Sequence, residues 1–342
     1  SEKIKDIENN LNLKKGYEDI EINKVALLSM YKDISKVAGI SSANFAPNFC
    51  EIKKTHVSDQ LKEDELATSM NISNEIADGT SKIVKQQYEE NPYPRWQPQV
   101  GLEFEKQSLK EHLEKGFNIK LTNEFSDKLR KNALIAGCGT GQQIYYLTRS
   151  VNDIAVDAFD LSSKSLAYAQ RVINEVGIQN VQLLQGDILN VQSIYEKKFD
   201  YIECGGVLHH MKNPELGLKK LSNILNEGGF LFLGFYSRKA RQKFHPIKDF
   251  IKKEMGAYSH NSKYLREALI LSAANGNQKA QYIFQSSRDI YCTSGYRDLL
   301  FHSQEQEYDL LEIEQLLEKC GLTFVSMAEG TVMNTHLLQT KE

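Results

Sequence analysis

Over the first 80 or so residues, apolar positions recur at helical rather than strand-like spacing. They cluster at Val25-Ala-Leu-Leu-Ser-Met-Tyr31 and again across Leu61–Met70, within an otherwise polar background. Asn91-Pro-Tyr-Pro-Arg-Trp-Gln-Pro98 then breaks the pattern. Its prolines cannot continue a helix, so an extended, stiff segment is expected there. From Asn132 the pattern alternates. Ala133–Ala136 reads as a short buried strand ending in glycines, Gln142–Arg149 as a helix, and Ile154–Phe159 as a second strand ending in Asp160. Ser163–Val176 reads as an amphipathic helix with Leu166, Ala169, Ile173 and Val176 on one face and Gly177 as its stop. Val181–Leu184 and Phe199–Glu203 are the third and fourth strands. Asn213-Pro214 opens a helix carrying Leu218, Leu221 and Leu225, and Gly228-Gly229 turns into a fifth strand, Phe230–Phe235. Helical patterns such as Tyr264–Ala274 fill residues 237–308. A helix over Asp309–Cys320, a strand over Leu322–Met327 and a last strand near His336–Gln339 follow.

Strands alternating with helices predict an α/β fold with a Rossmann-like, doubly wound sheet. The count gives a seven-stranded sheet, mostly parallel with an antiparallel edge from the two late strands, plus an N-terminal helical region and a helical insertion after strand five.

Composition narrows the function classes without choosing one. Apolar residues at 41% and charged residues at 25% are ordinary for a globular chain. A net charge of −3 does not favour nucleic acid as a partner. No apolar run reaches the roughly 18 residues of a membrane span, and the charged start Ser1-Glu-Lys-Ile-Lys lacks the apolar core of a signal peptide. The five cysteines (Cys50, Cys138, Cys204, Cys292, Cys320) are scattered, with no metal-ligand spacing, so neither a disulfide scaffold nor a metal site is expected and cytoplasmic residence is the default.

Candidate chemistry begins at Gly137-Cys138-Gly139-Thr140-Gly141, between a strand and a helix. Glycines there let a ligand approach backbone, and a helix N-terminus offers free N–H groups. A dinucleotide fingerprint places its third glycine one residue later, where Gln142 stands. The shift favours a single nucleoside with an amino-acid tail over a pyrophosphate. Asp160 at the end of strand two, with Leu161 beside it, suits two ribose hydroxyls; a surface Asp capping the next helix is the competing reading. After strand three, Asp187 suits an adenine amino group and Ile188 its ring face.

These motifs carry a resemblance. Asn132–Tyr236 resembles a class I S-adenosylmethionine-dependent methyltransferase strand for strand. Within that superfamily the chain is similar to a bacterial group often attached to tetratricopeptide repeats. The shared runs are Gln87-Tyr-Glu-Glu-Asn-Pro-Tyr-Pro-Arg-Trp96, Glu203-Cys-Gly-Gly-Val-Leu-His-His-Met211, Phe235-Tyr-Ser237 with Ala240-Arg241, and Arg297-Asp-Leu-Leu-Phe-His302. It covers about residues 80–327 and lacks the repeats; rickettsial-type protein lysine methyltransferases have a related layout. The resemblance implies S-adenosyl-L-methionine as cofactor, with S-adenosyl-L-homocysteine as product and no metal. It places Gly137–Gly141, Asp160, Leu161, Asp187, Ile188 and Cys204 at the cofactor. It divides the chain into a helical region (1–86), a cofactor-capping linker (87–131), the core (132–236), an insertion or substrate lid (237–308) and the end of the core (309–342).

The acceptor side is less determined. His209 and His210 follow strand four, where ligands sit in open α/β sheets, and a histidine titrates near neutrality, so either is a candidate base. Packing under the sheet is the alternative. Tyr88, Tyr93, Arg95 and Trp96 are candidates to cap the pocket, by cation–π attraction among other means, or simply to anchor a packed linker. The polar cluster Tyr291–Glu307, with Arg297, Asp298, His302 and Glu305, is dense in groups that bond; Arg297 and His302 there, and Tyr236 after strand five, are candidate substrate or lid residues, with a buried structural network as the competitor. The basic run Ser237–Lys253 reads as a solvated helix face or as a receiver of acidic groups. Asn91-Pro-Tyr-Pro has a superficial likeness to the Asn-Pro-Pro-Tyr motif of amino-group methyltransferases. That motif follows strand four, where this chain has Glu203-Cys-Gly-Gly206, so the likeness is read as accidental. The expected activity is methyl transfer to a protein or peptide amine. A small-molecule acceptor, an NAD-type dehydrogenase and a non-catalytic adenosylmethionine-binding protein are the alternatives, and the polar N-terminal helices are a candidate homodimer surface.

Overall fold

The structure, a computed structural model, describes residues 24–25, 27–29, 33–37, 40–42, 45, 47–72, 75–99, 104–122, 129, 131–255 and 262–328. The chain forms two compact units, Ser1–Met70 and Asn71–Glu342. In the first, Val25, Leu28, Ile34, Ile40 and Val57 form a small apolar core. Its longest described helix is α1 (Asp59–Thr68), which continues a helical run begun at Cys50.

The second unit is built on five parallel strands. These are β1 (Asn132–Ala136), β2 (Ala155–Asp160), β3 (Val181–Gln185), β4 (Phe199–Gly205) and β5 (Leu225–Gly234), in the order β3-β2-β1-β4-β5. The order reverses between β1 and β4, and the carboxyl ends of the strands at such a reversal form a crevice. Central β1 is covered on both faces: Ala133, Leu134, Ile135 and Ala136 are all fully buried. Burying each of the two larger side chains stabilises the fold by roughly 1.5–3 kcal/mol.

The helices are α2 (Gly79–Glu90), α3 (Leu109–Phe117), α4 (Gln142–Ser150), α5 (Ser163–Val176) and α6 (Pro214–Asn223). After the sheet come α7 (His245–Met255), α8 (Ser262–Ala274), α9 (Gln278–Ser286), α10 (Thr293–Phe301) and α11 (Leu310–Lys319). Their ends follow local chemistry. The Ser162 hydroxyl accepts from Ser165 N at the start of α5, and Gly177 closes it at φ 69°. Asn213 caps α6 with Pro214 in its first turn, and Asp309 with Glu312 forms a capping box on α11. One sheet face packs against α6 and α11 through Leu218, Leu221, Leu316 and Leu317. The insertion has its own core, in which Phe244, Ile247, Leu265, Leu269, Ile283 and Tyr296 meet.

Several expectations are corrected. Among the described residues the sheet has five strands, all parallel, with no antiparallel edge. Leu322–Met327 pairs with no strand there, and His336–Gln339 lies outside the described residues. Leu225 belongs to β5 rather than to α6. The strand runs through Gly228-Gly229, and its register against β4 shifts between Phe199 and Tyr201 to absorb them. The basic run after β5 is not simply a solvated face. Arg241 is buried, stacked 4.2 Å over the Tyr236 ring and paired at 2.5 Å with the largely covered side chain of Glu305.

Candidate active site

A cavity of about 360 Å³ opens at the carboxyl ends of β1–β4, under α2 and α10. One half is made by the β1–α4 loop. Gly137 N and Cys138 N both donate to Phe159 O, at 2.9 and 3.0 Å, tying the loop to the end of β2. Gly141 caps α4 at φ 83°, and a Cβ there would lie 2.7 Å from Ala169 Cβ, so close packing on α5 requires the missing side chain. Gly137, Cys138 and Gly139 line the cavity, with Gln142 and Gln143 at the N-terminus of α4. Thr140 and Gly141 do not line it. The Thr140 hydroxyl instead donates to Pro94 O at 2.5 Å, and the Trp96 indole N–H donates to Thr140 O at 3.2 Å.

Asp160 accepts from Gly139 N and Ser162 N, both at 2.9 Å. Burial raises its pKa to about 6 against the lowering effect of those N–H groups. A carboxylate has about four lone-pair sites, so capacity remains for ligand hydroxyls. Leu161, Asp187 and Ile188 also line the cavity, and Asp187 accepts from Leu189 N at 2.9 Å. Cys204 is fully buried in β4 and not on the lining; burial pushes its thiol up, away from nucleophilic use.

The other half is lined by Tyr88, Tyr93, His210, Tyr236 and Asp298. Tyr88 Oη donates to Asp298 Oδ1 at 2.7 Å and Tyr236 Oη to Asp298 Oδ2 at 3.3 Å. Tyr93 Oη donates to Asp289 Oδ1 at 3.1 Å. Burial raises Asp298 to about 6. His210 donates Nδ1–H to Gln304 O at 2.8 Å, which leaves Nε2 as its unprotonated nitrogen. His302 accepts from Gln304 N on Nδ1 at 3.2 Å. Its Nε2 therefore carries the proton and donates to Tyr88 Oη at 3.2 Å. The two rings stack at 3.5 Å, and burial lowers their pKa values, His210 to about 4 and His302 to about 2.

His210, Asp298 and His302 bring ligand atoms within 4.8 Å of one another. Metal ligation through His302 Nε2 would put a proton on Nδ1, facing the Gln304 N–H, so the hydrogen bonding opposes an ion there.

The remaining expected residues lie behind this wall. His209 is fully buried on the Tyr236 ring at 3.9 Å, faces the Gly234 backbone, is not on the lining, and is pushed down to about 2 by burial. Arg95 stacks 4.9 Å from the Tyr168 ring. Arg297 pairs with Glu90 at 2.5 Å. Four consecutive α2 residues each bond elsewhere: Gln87 accepts from Ser303 N at 3.0 Å, Tyr88 reaches Asp298, Glu89 accepts from Ser163 N at 2.8 Å, and Glu90 holds Arg297. Asp289, Glu89 and Gln304 were not among the sequence-derived site residues, and no spacing marks them; Asp298 stands in the polar cluster Tyr291–Glu307 but was given no role of its own there.

Residues 129–288 match a family model described as a methyltransferase domain. An uncharacterized Synechococcus protein, syc1184_c, is 28% identical over 209 residues, covering 58% of this chain and 49% of that one. A probable (S)-tetrahydroprotoberberine N-methyltransferase 2 from Papaver bracteatum is 29% identical over 119 residues, covering 35% of this chain and 33% of that one. The structure of PKMT2 from Rickettsia typhi aligns at 21% identity and TM-score 0.44, over 62% of this chain and 40% of that one. The chain thus spans half or less of the length of these relatives. Among the described residues no helix is long and apolar enough to cross a membrane.

Proposed function

We propose, from the class I S-adenosylmethionine-dependent methyltransferase domain that residues 129–288 form, that this protein transfers a methyl group to an amine of a protein or peptide. The observation that carries the reading is one continuous cavity. It joins the glycine loop, Asp160 and Asp187 on one side to Tyr88, Tyr236 and Asp298 on the other. The cofactor fits the first half. Gly137 lines the cavity, and its missing side chain lets the loop pack on Val207, since a Cβ there would lie 2.6 Å from Val207 Cγ2. Asp160 has lone pairs left for ribose hydroxyls, and Asp187 with Ile188 suits adenine. S-adenosyl-L-methionine supplies an electrophilic methyl group on sulfur and leaves as S-adenosyl-L-homocysteine.

The protein's own contribution is position and exclusion of water. Gly137–Gly139 present backbone to the cofactor, while Trp96 and Pro94 hold the loop from outside through Thr140. The acceptor end is walled by Tyr88, Tyr93, Tyr236 and His210. In this reading Arg297, through Glu90, and His302, through Tyr88, hold the wall, and His209 supports Tyr236 from beneath. At about 360 Å³ the cavity is near the small end of ligand clefts, which favours an acceptor that enters by a slender reactive end.

The domain match sets aside the dehydrogenase alternative. A small-molecule acceptor is the second reading, favoured by the same small volume. The test is to incubate the purified chain and cell extract with S-adenosylmethionine carrying a labelled methyl group, then separate macromolecules from small molecules. Label in the protein fraction supports the proposal, and label only in the small-molecule fraction replaces it with the second reading. Binding of S-adenosylhomocysteine without any labelling would leave a non-catalytic binding protein.

A further inference from the structure

The polarity of the hydrogen bonds at the acceptor end selects what can bind there. The Tyr88 and Tyr236 hydroxyl protons are both directed at Asp298, and the Tyr93 proton at Asp289. Burial raises all three phenols well above their ordinary range, so they stay protonated and keep donating inward. The His210 N–H is directed at Gln304 O. These side chains therefore have lone pairs, not protons, left for a ligand. A group that only accepts hydrogen bonds, such as a carboxylate or thiolate, finds no donor among them.

Charge narrows the choice further. Around Asp298 stand Tyr88 from α2, His210 after β4, Tyr236 and Arg241 after β5, Asp289 before α10 and His302 after it. Arg241 lies over the Tyr236 ring and is held by Glu305, which also takes Lys248 at 3.3 Å. Both histidines are neutral near pH 7. Both cations are bonded to Glu305, so among the described residues neither Asp289 nor Asp298 has a bonded cation, and of these two Asp298 lines the cavity, with Arg241 acting on it through space and Lys212 elsewhere on the same lining. Two tyrosines, Tyr88 and Tyr236, hold that carboxylate, and Tyr93 lines the same cavity; aromatic faces attract cations.

We propose that Asp298 is the floor of an ammonium seat and the catalytic group that deprotonates the methyl acceptor. The inference rests on the methyltransferase reading above and specifies its chemistry. The acceptor enters as R–NH3+, donating to Asp298 and to the lone pair of Tyr236, while Tyr88, which already accepts from His302, holds the carboxylate. One N–H bond breaks, its electron pair stays on nitrogen, and the proton passes to a carboxylate oxygen of Asp298. The freed amine forms the N–C bond to the methyl group as the S–C bond breaks, with that electron pair remaining on the thioether sulfur. The product is R–NH2+–CH3, and Asp298 releases its proton to solvent when the product leaves. His302 does not take that proton, because its Nε2 is already protonated and its Nδ1 is engaged. Tyr88 and Tyr236 are positioning residues that orient the carboxylate.

The test uses the full chain, labelled S-adenosylmethionine at saturation, and the extract fraction that the wild type labels. The label is expected to resist alkaline hydrolysis, as N-methyl groups do and methyl esters do not. n-Butylammonium is expected to inhibit labelling, while n-butanol at the same concentration does not. Asp298→Asn is expected to reduce labelling at least about 100-fold, as loss of a general base does, with S-adenosylhomocysteine affinity within about threefold of wild type. Because burial raises Asp298 to about 6, the wild-type rate should fall tenfold per unit below that pH, and the residual rate of the variant should lack that limb. Base-labile label, equal inhibition by the alcohol, or labelling by Asp298→Asn within threefold of wild type would each overturn the assignment. If Asp298→Asn loses cofactor binding through misfolding, the competition and pH profile of the wild type decide alone. A wild type that binds S-adenosylhomocysteine but labels nothing removes the methyl-transfer reading itself, a result distinct from labelling that survives without Asp298.

Discussion

Replacing Gly141 with alanine, beside the same change at Gly177, isolates what holds the cofactor loop in shape. Both glycines have left-handed backbone, at φ 83° and φ 69°. At Gly177 a new Cβ meets nothing within 4 Å, so only the conformation is penalised. That strain is roughly 1–2 kcal/mol, and reduced freedom of the unfolded chain returns about 0.4–1 kcal/mol, leaving a net cost of about 1 kcal/mol. At Gly141 the Cβ would sit 2.7 Å from Ala169 Cβ and 3.2 Å from Ala169 Cα. The second distance involves backbone of α5, which cannot turn aside. Overpacking of this kind adds about 1–3 kcal/mol, for a total near 2–4 kcal/mol. Urea unfolding of both variants measures the difference, and titration with S-adenosylhomocysteine reads the loop directly. Gly141→Ala should lose most of its affinity while Gly177→Ala keeps the wild-type value. Equal unfolding costs, or a Gly141→Ala protein that binds as well as wild type, would refute the view that contact with Ala169 sets the loop.

Two further outcomes are expected. Asp160 is raised to about 6 by burial, so it is a carboxylate above that pH and an acid below it. S-adenosylhomocysteine affinity, followed by calorimetry, should be level from pH 8 to about 6.5 and then weaken by up to tenfold per unit on acidification; an affinity unchanged down to pH 5 contradicts the ribose role. The Arg241–Glu305 pair has side chains only 7% and 9% exposed. Glu305→Gln should destabilise the protein by about 3 kcal/mol by leaving a buried cation, whereas the double change Arg241→Met with Glu305→Leu should recover most of that in denaturant melts.

The extent to which the sequence announces this structure depends on the range of the interaction. The α5 helix is legible because its cap, apolar stripe and stop are all written within Ser162–Gly177. The glycine loop is legible for the same reason. The β5 strand is less so. Gly228-Gly229 has turn chemistry, yet pairing with β4 on either side, at Leu225 and from Phe230 onward, keeps them within the strand, a case of tertiary contacts overriding local propensity. The late pair of strands illustrates the opposite error, because Leu322–Met327 has strand-like composition but finds no pairing partner among the described residues. At the site, His209 and His210 are adjacent in sequence and indistinguishable there, yet only His210 reaches the cavity. Asp298 stands in a visibly polar cluster, but its role is hidden for another reason. Its partner Tyr88 lies 210 residues away, and no local period records such a contact.

The last turn of α2 behaves like a key with four teeth. Gln87, Tyr88, Glu89 and Glu90 project in different directions because successive residues on a helix are about 100° apart, and each direction meets a different lock. Adding or removing one residue between Asp78 and Glu90 would rotate every tooth out of its lock at once, detaching Asp298 from Tyr88 and α5 from Glu89 together. Length changes in this protein and its relatives are therefore expected to fall outside that interval, before the cap at Asp78 or beyond Trp96.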